Sequence, residues 1–305
     1  VTIAISIKIN DGLVLATDSA STLLGQTPQG QLGVINVYNN ANKLFNLRKG
    51  FPIGAIIWGA GSIGQASIST IVKDLRQRFS GDDPEHEDWK LDEHTYTVEN
   101  VAKRFKEFVF DDLYEKAFKN LPHQKPSLGF IIAGYSANAP MPDEYQIDIQ
   151  NGVCIGPRLL RKQDEVGATW AGELEALNRL ILGCSIQLPA LMQAQLGIQP
   201  TQMNQAMTNI MPQIQLPAVV AAMPLQDAID LAEFMVELTI KFSRFRLGAP
   251  TVGGPVEIAA ISKHEGFRWV KRKYYFDRKL NPEQLFKRVY VPDERKRPNG
   301  GKHNE

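Results

Sequence analysis

Val1-Thr2-Ile3-Ala4-Ile5-Ser6-Ile7-Lys8-Ile9-Asn10-Asp11-Gly12-Leu13-Val14-Leu15-Ala16-Thr17-Asp18 carries the strongest local signal in the chain. Two apolar, β-rich runs flank Asn10-Asp11-Gly12, and Asp-Gly between such runs is a hairpin signal. In the first run Ile3, Ile5, Ile7 and Ile9 alternate with Ala4, Ser6 and Lys8, which makes one face apolar at period two. The second run, Leu13 to Ala16, is continuously apolar, as expected of a strand covered on both faces. Counting back along the hairpin brings Asp18 level with Thr2. A hydroxyl at the start of a chain, opposite a returning carboxylate, points to a nucleophile activated by a terminal amine.

These residues resemble the β-type subunits of the proteasome family, within the N-terminal-nucleophile (Ntn) hydrolases, in a divergent bacterial-type form. That family opens its first strand with a threonine and continues with Asp-Gly-x-Val-x-Ala-x-Asp, the aspartate sixteen positions on; Thr2 and Asp11 to Asp18 match. A lysine opening the next strand completes the family's set, and Asn42-Lys43-Leu44-Phe45 fits it after a longer loop. The resemblance implies an α+β fold of the four-layer αββα sandwich type, with catalytic residues Thr2, Asp18 and Lys43. It also implies that Gly59 or Gly61, in Gly59-Ala60-Gly61-Ser62, supplies a backbone N–H for the oxyanion and lets substrate backbone approach.

The length of 305 residues is ample for a core, and 43% hydrophobic with 22% charged residues is ordinary globular composition. A formal charge of +1 gives no reason to expect nucleic acid or an anionic membrane as partner. Cys154 and Cys184 form neither a disulfide framework nor a metal-ligand spacing, so reduced thiols of a cytoplasmic protein are expected. No signal-peptide pattern and no bilayer-spanning run is seen. No cofactor or metal is expected: His86 and His94 lie among acids in Ser80 to His94, which reads as a solvated, exposed connection without paired ligand spacing. Gly-x-Gly before a helix also invites a nucleotide-binding reading, but the full glycine pattern is absent.

Further along, Ser19 to Asn42 reads as loop, with Gly33 to Tyr38 able to pair as a strand. Strands follow at Lys43 to Leu47 and Phe51 to Trp58. An amphipathic helix then runs from Gly59-Ala60-Gly61-Ser62 to Arg78, burying Ile63, Ile68, Ile71, Val72 and Leu75. A second helix starts at Thr97 to Asn100, with Thr97 or Thr95 as its cap, and reaches about Asn120 with Phe105, Phe108, Val109, Leu113 and Phe118 inward. Strands are expected at Leu128 to Ala133, Glu144 to Gln150 and Val153 to Leu160, the last two joined by an Asn151-Gly152 turn. Gly167 to Glu173 leads into a helix ending near Leu182. Ile181 to Gln226 holds forty-six consecutive residues without a charge. Its prolines and glutamines rule out one membrane span, and its methionines suit an adaptable contact surface. A regular helix from Met223 to Arg246, Gly253-Gly254 and a final hairpin close the pattern, as in proteasome subunits. The expected division is one domain over 1–270, with an uncharged insertion at about 183–224, and a basic extension over 271–305.

Two features separate the readings. The family places a serine where Ala171 stands, and Asp-x-x-Ser where Ala249 and Val252 stand. While the Val1–Thr2 peptide bond exists, the nitrogen of Thr2 is an amide and no base. The first reading is therefore a threonine-type peptidase or amidohydrolase, acting on peptide or unfolded protein inside a ring or other homo-oligomer once Val1 is removed. An unfoldase or ATPase partner is left open. The second is an inactive, proteasome-like assembly or scaffold protein with Val1 capping the nucleophile, and the third a small-amide hydrolase. An α-type subunit is not expected, because no helical extension precedes the first strand.

Overall fold

The leading hairpin forms and lies at the centre of the molecule. In the computed structural model, which describes residues 2–26, 31–121, 125–277 and 279–280, β1 (Ile3–Ile9) pairs antiparallel with β2 (Gly12–Thr17). All residues of both strands are buried. Ile9 faces Gly12 across the turn and Ala4 faces Thr17, so Asn10 and Asp11 alone make the connection. Continuing that register puts Asp18 beside Ile3, whose carbonyl accepts its N–H at 3.4 Å. The expected level of Asp18 with Thr2 is thus corrected by one residue, because the pairing is centred between Asn10 and Asp11 and not on Asn10. Gly12 (φ +155°) is required by packing: a Cβ there would lie 2.4 Å from the Ile261 carbonyl oxygen.

Ser19 to Asn42, read as loop, contains a separate hairpin, β3 (Ser21–Gln26) with β4 (Leu32–Tyr38). The chain then makes β5 (Leu44–Asn46) and β6 (Ile53–Gly59). A small hairpin, β7 (Ser62–Ile63) and β8 (Ala66–Ser67), intervenes before α1 (Ile68–Ser80). The helix therefore starts later than expected, at the Ser67 cap whose side chain accepts the Thr70 N–H, and Gly59 and Gly61 do not lie at a helix N-terminus. Gly81 (φ +75°) closes α1 by donating to the last-turn carbonyls.

Ser80 to His94 is less exposed than its charge implies. A 3₁₀ turn over Pro84–Trp89, capped by Asp83, drives Trp89 and Leu91 into the core. Thr97 caps α2 (Val98–Lys106), which continues through a π-helical stretch (Glu107–Tyr114) into α3 (Glu115–Phe118). The wider turn rotates the inward face by a residue, so Phe110 and Tyr114 are buried while Leu113 is only partly covered.

β9 (Leu128–Gly134), β10 (Asp143–Gln150) and β11 (Val153–Leu159) follow. Asn151 and Gly152 join β10 to β11 with φ of +49° and +84°, the geometry of the tight hairpin turn their sequence predicts. Gly167 to Glu173 leads into a helical stretch that ends at Leu182, as expected, but its first six residues form a further strand, β12 (Gly167–Gly172), paired with β1. Beyond it come α4 (Glu175–Leu177), with a π-helical turn over Asn178–Leu182, then α5 (Leu188–Leu196), α6 (Pro200–Ile214) and α7 (Leu225–Phe245). β13 (Glu257–Ser262) and β14 (Gly266–Lys271) complete the described elements.

Two five-stranded antiparallel sheets result, ordered β12-β1-β2-β13-β14 and β11-β10-β9-β6-β5. The fold is α+β. Alternation along β1 sends Ile3, Ile5, Ile7 and Ile9 into a cluster with α4 and α7, while Ala4 joins Leu13, Leu15, Ile56 and Ile131 between the sheets. A third cluster packs α1 and α2 on the far face of the second sheet. The uncharged segment forms α5 and α6, where Met203 is the one side chain in the two helices to be buried. Among the described residues no helix is long and apolar enough to cross a membrane. Of the expected extension, Lys271 ends β14, and residues 281–305 lie outside the described residues.

Gly172, the last residue of β12, lies opposite Ile3 at the head of β1. It adopts φ +94°, and a Cβ there would lie 1.8 Å from the Thr2 carbonyl oxygen. Gly172→Ala is expected to cost about 3 kcal/mol or more, since strain at positive φ adds to a backbone clash. A lowered urea midpoint checks this, and an unchanged one refutes the close approach.

Candidate active site

Asp18 is fully buried just past the end of β2, and each of its oxygens accepts two hydrogen bonds. Oδ1 takes the Lys43 ammonium at 2.7 Å and the Ile3 N–H at 3.1 Å. Oδ2 takes the N–H groups of Ala20 and Gly253, both at 3.0 Å. A carboxylate so deep in protein is tolerable only when its lone pairs are satisfied, and charge-assisted bonds do this best. The arrangement ties together four segments: the start of β1, the turn after β2, the residue before β5 and the Gly-Gly pair before β13.

Lys43 is 6% exposed. Burial pushes its ammonium below the ordinary lysine value; Asp18 opposes that shift by charge and hydrogen bond, and Lys273 adds to it. A lysine poised in this way can keep its charge beside a carboxylate and still release a proton more readily than a solvated one.

Thr2 is 3% exposed and adjoins Ile3, whose N–H is held by Asp18. Its carbonyl accepts the Glu173 N–H at 2.8 Å, so β12 fixes it from the other side. Asp18 and Lys43 are thus in direct contact, and Thr2 is one residue from the carboxylate's anchor. Gly59 and Gly61 flank the strand exit from β6. Gly59 (φ +91°) lets β6 approach the Ser127 carbonyl, where a Cβ would meet the oxygen at 2.3 Å. Gly61 lies against Ser21, three residues past Asp18, and its carbonyl accepts the Ile68 N–H. Among the described residues neither glycine is hydrogen-bonded to Asp18 or Lys43. Val1 lies outside the described residues.

A second, partly buried ion pair adjoins the first. The Lys273 ammonium donates to Glu257 Oε2 at 2.6 Å, to Ser19 Oγ at 2.7 Å and to the Ala41 carbonyl at 2.8 Å. Ser19 Oγ in turn donates to the Pro255 carbonyl, and the Ala41 N–H to the Ser19 carbonyl. Lys273 therefore braces the residues next to both Asp18 and Lys43. It sits in what reads as a basic, solvated tail, and only a lone glutamate heading an apolar strand hinted at a buried cation partner. Between the sheets, Ser6 Oγ donates to Glu144, which also accepts from Arg161, and Lys8 reaches the Lys162 carbonyl. The polar face of β1 is thereby satisfied away from the site.

Ala171 pairs with Ala4 across β12 and β1, and Val252 packs in the cluster with α7; neither offers a hydroxyl. No group of three or more His, Cys, Asp or Glu side chains able to hold a metal occurs among the described residues. His86 pairs with Asp83 at 2.8 Å, which gives that histidine a structural role. Cys154 and Cys184 are free thiols.

The class defined by these observations is an antiparallel two-sheet α+β protein that holds a buried lysine–aspartate pair against the head of its central strand. No protein-family model matches the chain, and no curated protein matches it. Among solved structures it is similar to the Anbu (Gly-1) mutant from Hyphomicrobium sp. strain MC1, at 15% identity and a TM-score of 0.49 over 90% of this chain and 86% of that one. It is also similar to Anbu (ancestral beta-subunit) from Yersinia bercovieri, at 12% identity and a TM-score of 0.46 over 88% and 86%.

The lowered proton affinity of Lys43 has a definite sign in stability. Between its lowered value and the ordinary 10.5, the unfolded chain binds more protons at this lysine than the folded one, so its contribution grows as pH rises. The stability deficit of Lys43→Met relative to wild type is expected to widen as pH rises toward 10.5 in urea titrations. A deficit that stays constant all the way to pH 10.5 would place the ammonium at its solvated value.

Proposed function

We propose that the chain is an N-terminal-nucleophile hydrolase of the proteasome-like type, a threonine peptidase or amidohydrolase acting on peptide or unfolded-protein substrates, with the two sheets as the core of an αββα sandwich. The observation that carries this reading is the 2.7 Å Lys43–Asp18 contact on the same carboxylate oxygen that holds the Ile3 N–H. In this reading Thr2 Oγ first attacks the carbonyl of Val1; the peptide bond breaks, the acyl group passes to Oγ, and water releases it. The freed α-amine, with a reference pKa of about 7.7–8.0, then accepts the hydroxyl proton as Oγ attacks a substrate carbonyl. The amine returns that proton to the leaving nitrogen, and water hydrolyses the ester. Lys43 favours the alkoxide by its charge, Asp18 holds Lys43, and the N–H of Gly59 or Gly61 faces the developing oxyanion.

Intact-mass measurement is expected to show cleavage immediately before Thr2 and a single adduct there with a β-lactone. Lys43→Ala should lower hydrolysis of a fluorogenic peptide by at least about a hundredfold, the scale of losing a proton-transfer aid. A second reading, an inactive assembly protein, is favoured by the apolar Ala171 and Val252 beside the site. Retained Val1 with no adduct at Thr2 would decide for it.

We also propose self-association through the uncharged segment. Ile186, Leu191, Leu196, Ile210 and Leu216 are all exposed there. The exposed part of a 46-residue segment without charge meets a second uncharged copy at no cost in unpaired ions. Sedimentation velocity is expected to show an oligomer that dissociates in a Leu191→Lys, Leu196→Lys double variant. A monomeric wild-type chain refutes the proposal.

A further inference from the structure

Edge strands of the two sheets, β5 and β14, leave a cavity of about 400 Å³ between them, bounded by α1 and the chain after β14. Ser69, Lys73 and Arg76 line it from α1 at spacings of four and three residues, which places them on one helix face. Trp269 and Arg272 line it from the opposite side. Arg76 donates through Nε to the Asn46 carbonyl at 2.8 Å, which orients the two terminal amino groups of its guanidinium. Burial and then the nearby Arg272, itself exposed, lower its proton affinity, so two like charges face the same cavity. Arg272 lies over the rings of Trp269 and Tyr274, at 4.6 and 5.0 Å. Among the described residues lining the cavity, Glu257 is the one carboxylate, and Lys273 already binds it at 2.6 Å.

Two guanidiniums and an ammonium facing one space, with the local acid engaged, suit an oxyanion on an apolar stem: guanidinium forks bind a carboxylate through paired N–H groups, and the aromatic wall covers the methylenes. Asn42 also lines the cavity and immediately precedes Lys43, while Lys273 connects it to Ser19, the neighbour of Asp18. We propose that this cavity is a subsite for an acidic side chain, a glutamate of a peptide bound next to the cleaved bond. The subsite deepens the hydrolase reading above and rests on it. A free anion such as phosphate shares the chemistry but would not need a neighbouring peptide.

Binding is read by calorimetry on Thr2→Ala protein, so that the subsite is measured without turnover. The probes are acetyl-Leu-Leu-Glu-amide, its glutamine counterpart and inorganic phosphate. The glutamyl peptide is expected to bind about tenfold more tightly than the glutaminyl one, the scale of one charge-assisted contact. Arg272→Gln, which leaves the Arg76–Asn46 bond in place, should reduce that preference to about twofold or less, and Arg76→Gln should do the same. Hydrolysis of the matching coumarin amides by wild-type protein should show the same preference in kcat/KM. Equal binding of the two peptides, or a preference surviving both arginine variants, overturns the proposal. So does phosphate binding that depends on Arg272 while the peptides bind alike, because it assigns the cavity to a free anion. A glutamyl preference in binding with no hydrolysis by wild-type protein leaves the acidic-group site standing and removes the hydrolase reading alone.

Discussion

A single buried carboxylate governs the architecture around the site. Asp18 has no solvent to stabilise its charge, so its position depends on an ammonium and three backbone N–H groups reaching it from different parts of the chain. Each donor belongs to a segment whose course is set elsewhere: β1 by its partners β2 and β12, Lys43 by the strand it precedes, Gly253 by the turn into β13. The carboxylate therefore couples the closure of both sheets to the placement of Thr2. Removing one partner leaves an uncompensated charge in a low-dielectric interior, which makes such a hub sensitive to substitution and strongly specific in geometry.

The Lys273–Glu257 pair gives this hub a second support. Its ammonium uses all three of its hydrogens on Glu257, Ser19 and Ala41, and so converts the strand after Gly253-Gly254 and the loop before Lys43 into one braced unit. The two lysines repel each other across this unit, while Asp18 and Glu257 offset the repulsion. Burial lowers the proton affinity of Lys43 and Lys273 adds to that, while Asp18 and Glu257 oppose the shift and hold the ammonium in place, a property useful to a lysine that must stay charged and yet exchange protons.

Much of this was legible along the chain. Period-two alternation in β1 named the helix-facing isoleucines, the continuous apolar run named a fully covered β2, and Asn151-Gly152 named its turn. Counting along the hairpin singled out Asp18, and the family resemblance pointed to Lys43; the two do meet. The failures have common physical causes. Local pattern carries no information on whether an acidic segment folds onto a tryptophan, as at Pro84–Trp89, or on a π-helical turn that moves Tyr114 inward in place of Leu113. Gly167 to Gly172 lacks the branched side chains of a typical strand, and it becomes one because the edge of β1 requires a partner.

Sequence by itself determined the elements whose signal is short-range: the leading hairpin, the amphipathic face of α1, and the residue types assembled at the candidate site. Tertiary structure alone decided the register that places Asp18 beside Ile3, the burial of Lys273 against Glu257, and the cavity between β5 and β14. Each of these depends on contacts between residues far apart in the chain, where side-chain chemistry states what a group needs but not which distant partner will supply it.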